Sequence, residues 1–175
     1  TSLALYWLVS LISPKTLLAL FTALIFASHP IHTEVVAYVS GRDTGLAALL
    51  LLVSLSCYLE GGHRPGRGWY PLSLTAFSLA LLSKEFAVVG PLLLLAYETI
   101  FKRLTRAALL RLAPFLLVDV AWIVAKLAVL SFDAADLRGH RIEFYYRITG
   151  FFAAWPAYLR LLVFPSDQHV DYGFV

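Results

Sequence analysis

The chain has 175 residues, of which 60% are hydrophobic and 14% are charged, and its mean hydropathy is +0.78. A soluble domain of this length could not bury so much apolar surface, so the composition excludes an ordinary soluble fold. The net charge is +3, and the basic residues form no stripe between exposed aromatics, which excludes a nucleic-acid partner. The single cysteine, Cys57, excludes an internal disulfide and is expected to be a small packing residue.

The apolar residues fall into blocks separated by short polar breaks, which is typical of a polytopic helical membrane protein. In chain order, the predicted membrane segments are Thr1–Ser13, Thr16–Ser28, Thr44–Leu59, Trp69–Ser83, Phe86–Phe101 and Leu109–Phe132. Several are shorter than the roughly 20 residues that cross a bilayer, so we expect polar flanks to extend them or a thinned bilayer around them. We therefore predict an all-α transmembrane helix bundle of about six helices over residues 1–132. Because Thr1 already lies in an apolar run, we expect an internal piece of a longer protein.

Residues 133–175 have a different pattern and are predicted to form an extracytoplasmic or lumenal loop. The first part is polar, and Tyr145–Phe164 is rich in aromatic and apolar residues but also contains Arg147 and Pro156. Tyrosine, tryptophan and arginine prefer the membrane interface. We therefore predict an amphipathic helix lying on the outer membrane face, and a further membrane crossing is the alternative.

The basic residues between the predicted segments indicate the orientation of the bundle. Positive residues concentrate in cytoplasmic loops. One set of loops is basic, and its members are Lys15, Arg64, Arg67, Lys102, Arg103, Arg106 and Arg111. The other short loops contain Arg42 and Lys84, each beside an acidic residue. The loops at 29–43 and 83–85 are therefore predicted to face the periplasm or the lumen, as are residues 133–175.

The segment from His29 to Glu34 places two imidazoles and a carboxylate between two apolar blocks. Ionisable groups at the end of a membrane bundle point to a site, because they are costly to place in lipid. His29, His32 and Glu34 could recognise a phosphate or a sugar, or could bind a divalent metal, although their spacing does not match the zinc-protease pattern. Helix capping is a third interpretation, with Ser28 or Thr33 as N-cap, Pro30 in the first turn and Glu34 at the positive end of the helix.

Three further pairs of charged residues stand at or within the predicted helices. Arg42 is suited to forked contacts with phosphate, whereas Asp43 or Thr44 could simply cap a helix. Lys84 could bind a lipid-linked phosphate with Glu85 orienting it, or the two could neutralise each other. Asp119 and Lys126 share one helical face seven residues apart, so they could be functional, could neutralise each other, or Lys126 could reach the interface.

The order of these motifs resembles the transmembrane-and-tetratricopeptide-repeat proteins, which are membrane glycosyltransferases of the GT-C class. The motifs that carry the resemblance are His29–Ala37, Gly41-Arg42, Leu82–Glu85, Tyr158–Pro165 and Val170–Tyr172. The resemblance implies transfer of a sugar, with mannose as one candidate, from a polyprenyl-phosphate donor to a hydroxyl at the outer membrane face. Membrane lipid, the lipid-linked sugar and a protein acceptor are then the expected partners, and the protein is expected in a bacterial inner membrane or the endoplasmic reticulum.

The resemblance also implies roles for individual residues. The candidates for the phosphate clamp and the sugar contacts are His29, His32, Glu34, Arg42, Lys84, Glu85, Arg147 and Asp171. The catalytic acid of the class usually lies in an outward loop expected before Thr1, and Glu34 is the alternative candidate for the base. Relatives often have Gly-Arg-x-Glu, whereas this chain has Gly41-Arg42-Asp43-Thr44, so that the acid has moved by one position. The competing hypothesis is a non-catalytic transporter or assembly scaffold.

Overall fold

The computed structural model describes residues 1–30, 41–64, 68–102 and 104–133, together with scattered positions between 149 and 160. The main described ranges contain six α-helices and one 3-10 helix, so the predicted all-α class is confirmed. They are α1 (Ser2–Ile12), α2 (Thr16–Ser28), α3 (Arg42–His63), α4 (Trp69–Ser83), the 3-10 helix (Glu85–Val89), α5 (Gly90–Ile100) and α6 (Arg106–Asp133).

Two of these helices are long and apolar enough to cross a membrane. Helix α3 has 22 residues and α6 has 28, which correspond to about 33 Å and about 42 Å at 1.5 Å per residue. Helices α1, α2 and α4 are apolar but have 11, 13 and 15 residues, so each is shorter than the roughly 30 Å hydrocarbon core. The length and composition of α3 and α6 are those of membrane-spanning helices.

Helix boundaries follow local sequence signals, and one predicted segment is divided in the structure. Helix α1 ends at Ile12, two residues before Pro14, and α2 ends at Ser28, two residues before Pro30. The predicted segment Phe86–Phe101 is divided, because a 3-10 helix ends at Val89 and α5 begins at Gly90 with Pro91 in its first turn.

The core of the bundle is centred on the ring of Phe115 in α6. This ring is fully buried and contacts three aromatic rings from α3 and α4. The centroid distances are 5.9 Å to Tyr58, 6.0 Å to Tyr70 and 5.4 Å to Phe77. Edge-to-face aromatic contacts of this kind add to the gain from burial. Phe115 therefore joins α6 to both α3 and α4.

Helices α3 and α4 are also joined by two buried serines. The Ser54 hydroxyl donates to the backbone carbonyl of Ser73 at 2.8 Å, and the Ser73 hydroxyl donates to the carbonyl of Ser54 at 2.7 Å. Small hydroxyl residues let membrane helices approach closely and supply hydrogen bonds between them. This reciprocal contact fixes the position of α4 along α3.

The outer surface of α6 is strongly apolar. Its large exposed side chains include Leu116, Leu117, Val120, Ile123, Val124 and Leu127. A continuous apolar surface of this size is unfavourable in water and matches the acyl chains of a bilayer. The predicted interfacial helix at 145–164 lies largely outside the described residues; its described positions, including Phe152, Trp155 and Leu159, are helical and exposed.

Candidate functional site

Two ion pairs join separate elements at one end of the bundle. The Lys84 ammonium donates to Oδ2 of Asp43 at 2.7 Å, and the Lys126 ammonium donates to Oε2 of Glu85. The first pair connects the start of α3 to the end of α4, and the second connects the 3-10 helix to α6. We call Asp43, Lys84, Glu85 and Lys126 the ion-pair cluster.

The backbone after α4 explains why two adjacent residues contact different helices. Lys84 is extended, with φ −157° and ψ 139°, and the 3-10 helix begins at the next residue. Successive side chains of an extended segment point in opposite directions. Lys84 therefore reaches α3, while Glu85 reaches α6.

Asp43 and Lys126 are positioned by their own surroundings. The backbone N–H of Thr44 donates to Oδ1 of Asp43 at 2.6 Å, which leaves Oδ2 for Lys84. The Lys126 ammonium lies 4.9 Å from the centroid of the Trp122 ring, within the range of a cation–π contact. Asp43 and Lys126 therefore each have a second contact besides their ion pair.

The carboxylates of the ion-pair cluster are ionised and exposed, so another anion could take their place beside the lysines. The hydrogen bond from Lys126, followed by its coulombic attraction, lowers the pKa of the Glu85 carboxyl from its ordinary value of 4.5. The side chains are accessible, with Lys84 38% exposed and Asp43 45% exposed. Exposed ion pairs contribute little net stability. A phosphate could therefore replace either carboxylate without a large loss of stability.

The structure describes four of the eight candidate residues. Lys84 and Glu85 belong to the ion-pair cluster. Arg42 is exposed in the first turn of α3, beside Asp43, and His29 is half-buried where α2 ends. The other four lie outside the described residues; they are His32, Glu34, Arg147 and Asp171.

Three of the structural interpretations from the sequence are corrected. Lys84 and Glu85 pair with other helices and not with each other. Helix α3 has Gly41 as its N-cap with no side-chain capping bond, so neither Asp43 nor Thr44 has that role. Lys126 pairs with Glu85 rather than with Asp119.

Sequence reasoning missed Asp43 and Lys126 as members of this site. Each lies 41 residues from its partner, which corresponds to two passages through the predicted bundle. Residues separated by two passages lie at the same end of the bundle, so the 41-residue spacing of opposite charges was a signal for these ion pairs in the sequence. It could not be distinguished from local pairing without the helix directions.

Asp119 was singled out from the sequence as a charged residue within a predicted helix, and the structure adds its surroundings. It ends a buried stripe on α6 formed by Ala108, Leu112 and Phe115, and it is 8% exposed. Its Oδ1 atom has no hydrogen-bond partner among the described residues. Among those residues no group of three or more histidine, cysteine or carboxylate side chains could hold a metal ion. The predicted set of His29, His32 and Glu34 is only partly described, so the metal alternative stays a prediction.

Comparison with known proteins gives partial matches to one group of enzymes. The chain is 38% identical over 87 residues to the protein O-mannosyl-transferase TMTC2 of Homo sapiens. It is 54% identical over 65 residues to TMTC1 of Mus musculus and 41% identical over 75 residues to TMTC4 of Homo sapiens. The chain is a partial homologue of the TMTC protein O-mannosyl-transferases. The suspected resemblance is confirmed at that level.

The matches cover a limited part of this chain and a smaller part of each relative. The TMTC2 match includes 46% of this chain and 10% of the human protein, and the TMTC1 match includes 37% of this chain and 7% of the mouse protein. No family model and no solved structure matches the chain. The TMTC similarity therefore supports membership of a membrane glycosyltransferase family, while activity and substrates belong to the proposal below.

Proposed function

We propose that this chain forms the membrane-embedded part of a GT-C type glycosyltransferase. The enzyme would transfer a sugar from a polyprenyl-phosphate donor to a hydroxyl of a protein acceptor. The observation that carries the proposal is the partial homology to TMTC1, TMTC2, TMTC3 and TMTC4, all of which are named protein O-mannosyl-transferases. Mannose is therefore the first sugar to test.

The proposed orientation places the ion-pair cluster at the outer face. Its support is the distribution of basic residues between the two ends of the bundle. Lys102 and Arg111 both approach Gly62 at the end of α3, whereas the cluster lies where α3 begins. Because positive residues favour the cytoplasm, residues 29–43 and 83–85 would face the periplasm or the lumen. The six helices would then alternate in direction across the membrane.

In this proposal, Lys84 and Lys126 stabilise the phosphate of the lipid donor. Charge-assisted hydrogen bonds to phosphate oxygens would replace those that the lysines now make to carboxylates. Stabilisation of the leaving phosphate would lower the barrier to attack by the acceptor hydroxyl. Glu34 is the proposed base, with His29, His32, Arg42, Arg147 and Asp171 as the remaining contacts to sugar or phosphate.

The test uses full-length protein in nanodiscs, with mannosyl polyprenyl phosphate as donor and turnover as the readout. Lys84→Ala and Arg42→Ala should each raise the KM for the donor about tenfold or more, because each removes a contact to a charged group. Lys84→Arg should retain part of the affinity, and Glu34→Gln should lower kcat. Lys15→Ala, which changes an exposed lysine at the opposite end, is the matched control.

Unchanged donor dependence in both alanine variants would contradict the phosphate assignment. Absence of binding and turnover with any lipid-linked sugar, in a folded wild-type protein, would contradict the enzyme proposal itself. The transport alternative has one observation in its favour, which is the buried Asp119 carboxyl within α6. Ionisable groups inside membrane helices often mark translocation pathways. Substrate flux into liposomes that Asp119→Asn abolishes would favour that alternative.

A further inference from the structure

Two cations converge on a glycine at the end of the bundle opposite the ion-pair cluster. Gly62 lies in the last turn of α3 and is exposed. A Cβ placed on Gly62 would lie 3.2 Å from Nζ of Lys102 and 4.0 Å from a guanidinium nitrogen of Arg111. The two cations come from different parts of the chain, the turn after α5 and the first turns of α6, and meet over exposed backbone.

Neither cation has a carboxylate within ion-pair distance in the described part of the chain. The two buried carboxylates at this end have other partners. Glu60 pairs with Arg64 at 3.1 Å, and Glu98 accepts a hydrogen bond from the Tyr58 hydroxyl at 3.0 Å. Two like charges brought together with no carboxylate at ion-pair distance repel each other, so this arrangement favours binding of an anion.

Both residues are also positioned before any anion binds, Lys102 through its ammonium and Arg111 through its backbone. The Lys102 ammonium lies 5.4 Å from the centroid of the Tyr97 ring, and that ring stacks on Phe101. The backbone carbonyl of Arg111 accepts a hydrogen bond from the Tyr70 hydroxyl at 2.8 Å, which fixes the start of α6 against α4. Positioned charges of this kind bind an anion with less loss of side-chain entropy.

We propose that Gly62, Lys102 and Arg111 form a binding site for a phosphate group. The absent side chain at Gly62 leaves room for the phosphate, Arg111 can make forked hydrogen bonds to it, and Lys102 supplies a second positive charge. The phosphate belongs either to the headgroup of an anionic lipid or to free inorganic phosphate. This site lies at the end of the bundle away from the proposed donor site, so it does not depend on the proposed function.

The site is tested by native mass spectrometry of the full-length protein in detergent micelles. The probes are dioctanoyl phosphatidic acid, inorganic phosphate, and dioctanoylglycerol as the uncharged lipid control. Lys102→Gln and Arg111→Gln should each weaken binding of the phosphate probe about tenfold, because each removes a charge-assisted contact. Lys15→Gln should leave binding unchanged.

Gly62→Asp and Gly62→Asn form the most specific comparison. The aspartate would place a carboxylate between the two cations and should abolish binding, whereas the isosteric asparagine should retain more of it. Tighter binding of phosphatidic acid than of inorganic phosphate would identify a lipid headgroup, and equal binding would identify free phosphate. Equal binding by the Asp and Asn variants, wild-type binding by both glutamine variants, or binding of dioctanoylglycerol alone would overturn the proposal. If Gly62→Asp does not fold, the glutamine variants decide.

Discussion

Replacement of Gly90 by alanine tests the close approach of α5 to the core. A Cβ at this position would lie 2.6 Å from Cε2 of Phe77 and 3.1 Å from Cδ1 of Leu51. Carbon atoms pack at about 3.5–4.0 Å, so the nearer contact overlaps by roughly 1 Å. Phe77 is 1% exposed and packs against Phe115, which leaves its ring little room to move.

The expected loss of stability follows from two opposing effects. Overpacking of a core costs about 1–3 kcal/mol, while replacing a helical glycine by alanine gains up to about 1 kcal/mol. We therefore expect Gly90→Ala to lower the free energy of unfolding by about 1–2 kcal/mol. Gly61→Ala is the matched control, because its nearest contact, Cβ of Trp69 at 3.4 Å, is an ordinary van der Waals distance.

The rate at which maleimide labels Cys57 is a suitable measurement, read by mass spectrometry of the labelled peptide. Cys57 is fully buried on α3, so labelling requires α3 to separate from its neighbours. A loss of about 1–2 kcal/mol should raise the labelling rate about 5–30-fold. The Gly61→Ala protein should label no faster than wild type. Equal rates for the two alanine variants would refute the packing argument.

Three further predictions concern polar contacts. Tyr58→Phe should destabilise the bundle by about 1–3 kcal/mol, read by faster Cys57 labelling, because the buried Glu98 carboxyl loses its hydrogen-bond donor; an unchanged rate would contradict this. Ser54→Ala should cost about 0.6 kcal/mol, since hydrogen bonds between membrane helices average that value, and a loss above about 2 kcal/mol would indicate a different role. Glu85→Gln should be slightly less stable than wild type at neutral pH, because an exposed ion pair contributes little net stability. Because the pKa of Glu85 is lowered in the folded protein, this difference should persist above its ordinary pKa of 4.5 and disappear as the pH falls through the lowered value; a difference independent of pH would exclude the ion pair as its cause.

Most of the helical architecture could be predicted from the sequence, because apolar blocks and their breaks are local signals. The prediction for α4 matches the structure at both ends, and α2 also begins and ends as predicted. Helix α3 is longer than predicted at both ends, since Arg42 and Asp43 precede the predicted start and Glu60–His63, which contains no large apolar residue, continues the helix. Polar flanks of membrane helices carry no hydrophobic signal, which is why the predicted end fell short.

The candidate site was predicted less completely, because its geometry depends on which helices are neighbours. Lys84 and Glu85 were singled out as charges at a break predicted to face outward, but their partners lie 41 residues away in opposite directions along the chain. Local sequence patterns favoured pairing between adjacent residues. Local patterns also could not predict that Lys102 and Arg111 approach Gly62, because these residues come from three separate parts of the chain.

The regular spacing of the polar contacts has a consequence for synthesis of the protein. Four contacts between side chains and distant elements join residues 40 or 41 positions apart: Tyr58 with Glu98, Tyr70 with Arg111, Asp43 with Lys84, and Glu85 with Lys126. In each contact, the ribosome must add 40 or 41 residues after the first partner before the second partner is synthesised. At about 5–20 residues per second, the delay is about 2–8 s. Each newly synthesised helix can therefore contact an element that was synthesised before it. The bundle can then assemble stepwise from its N-terminal side as translation proceeds.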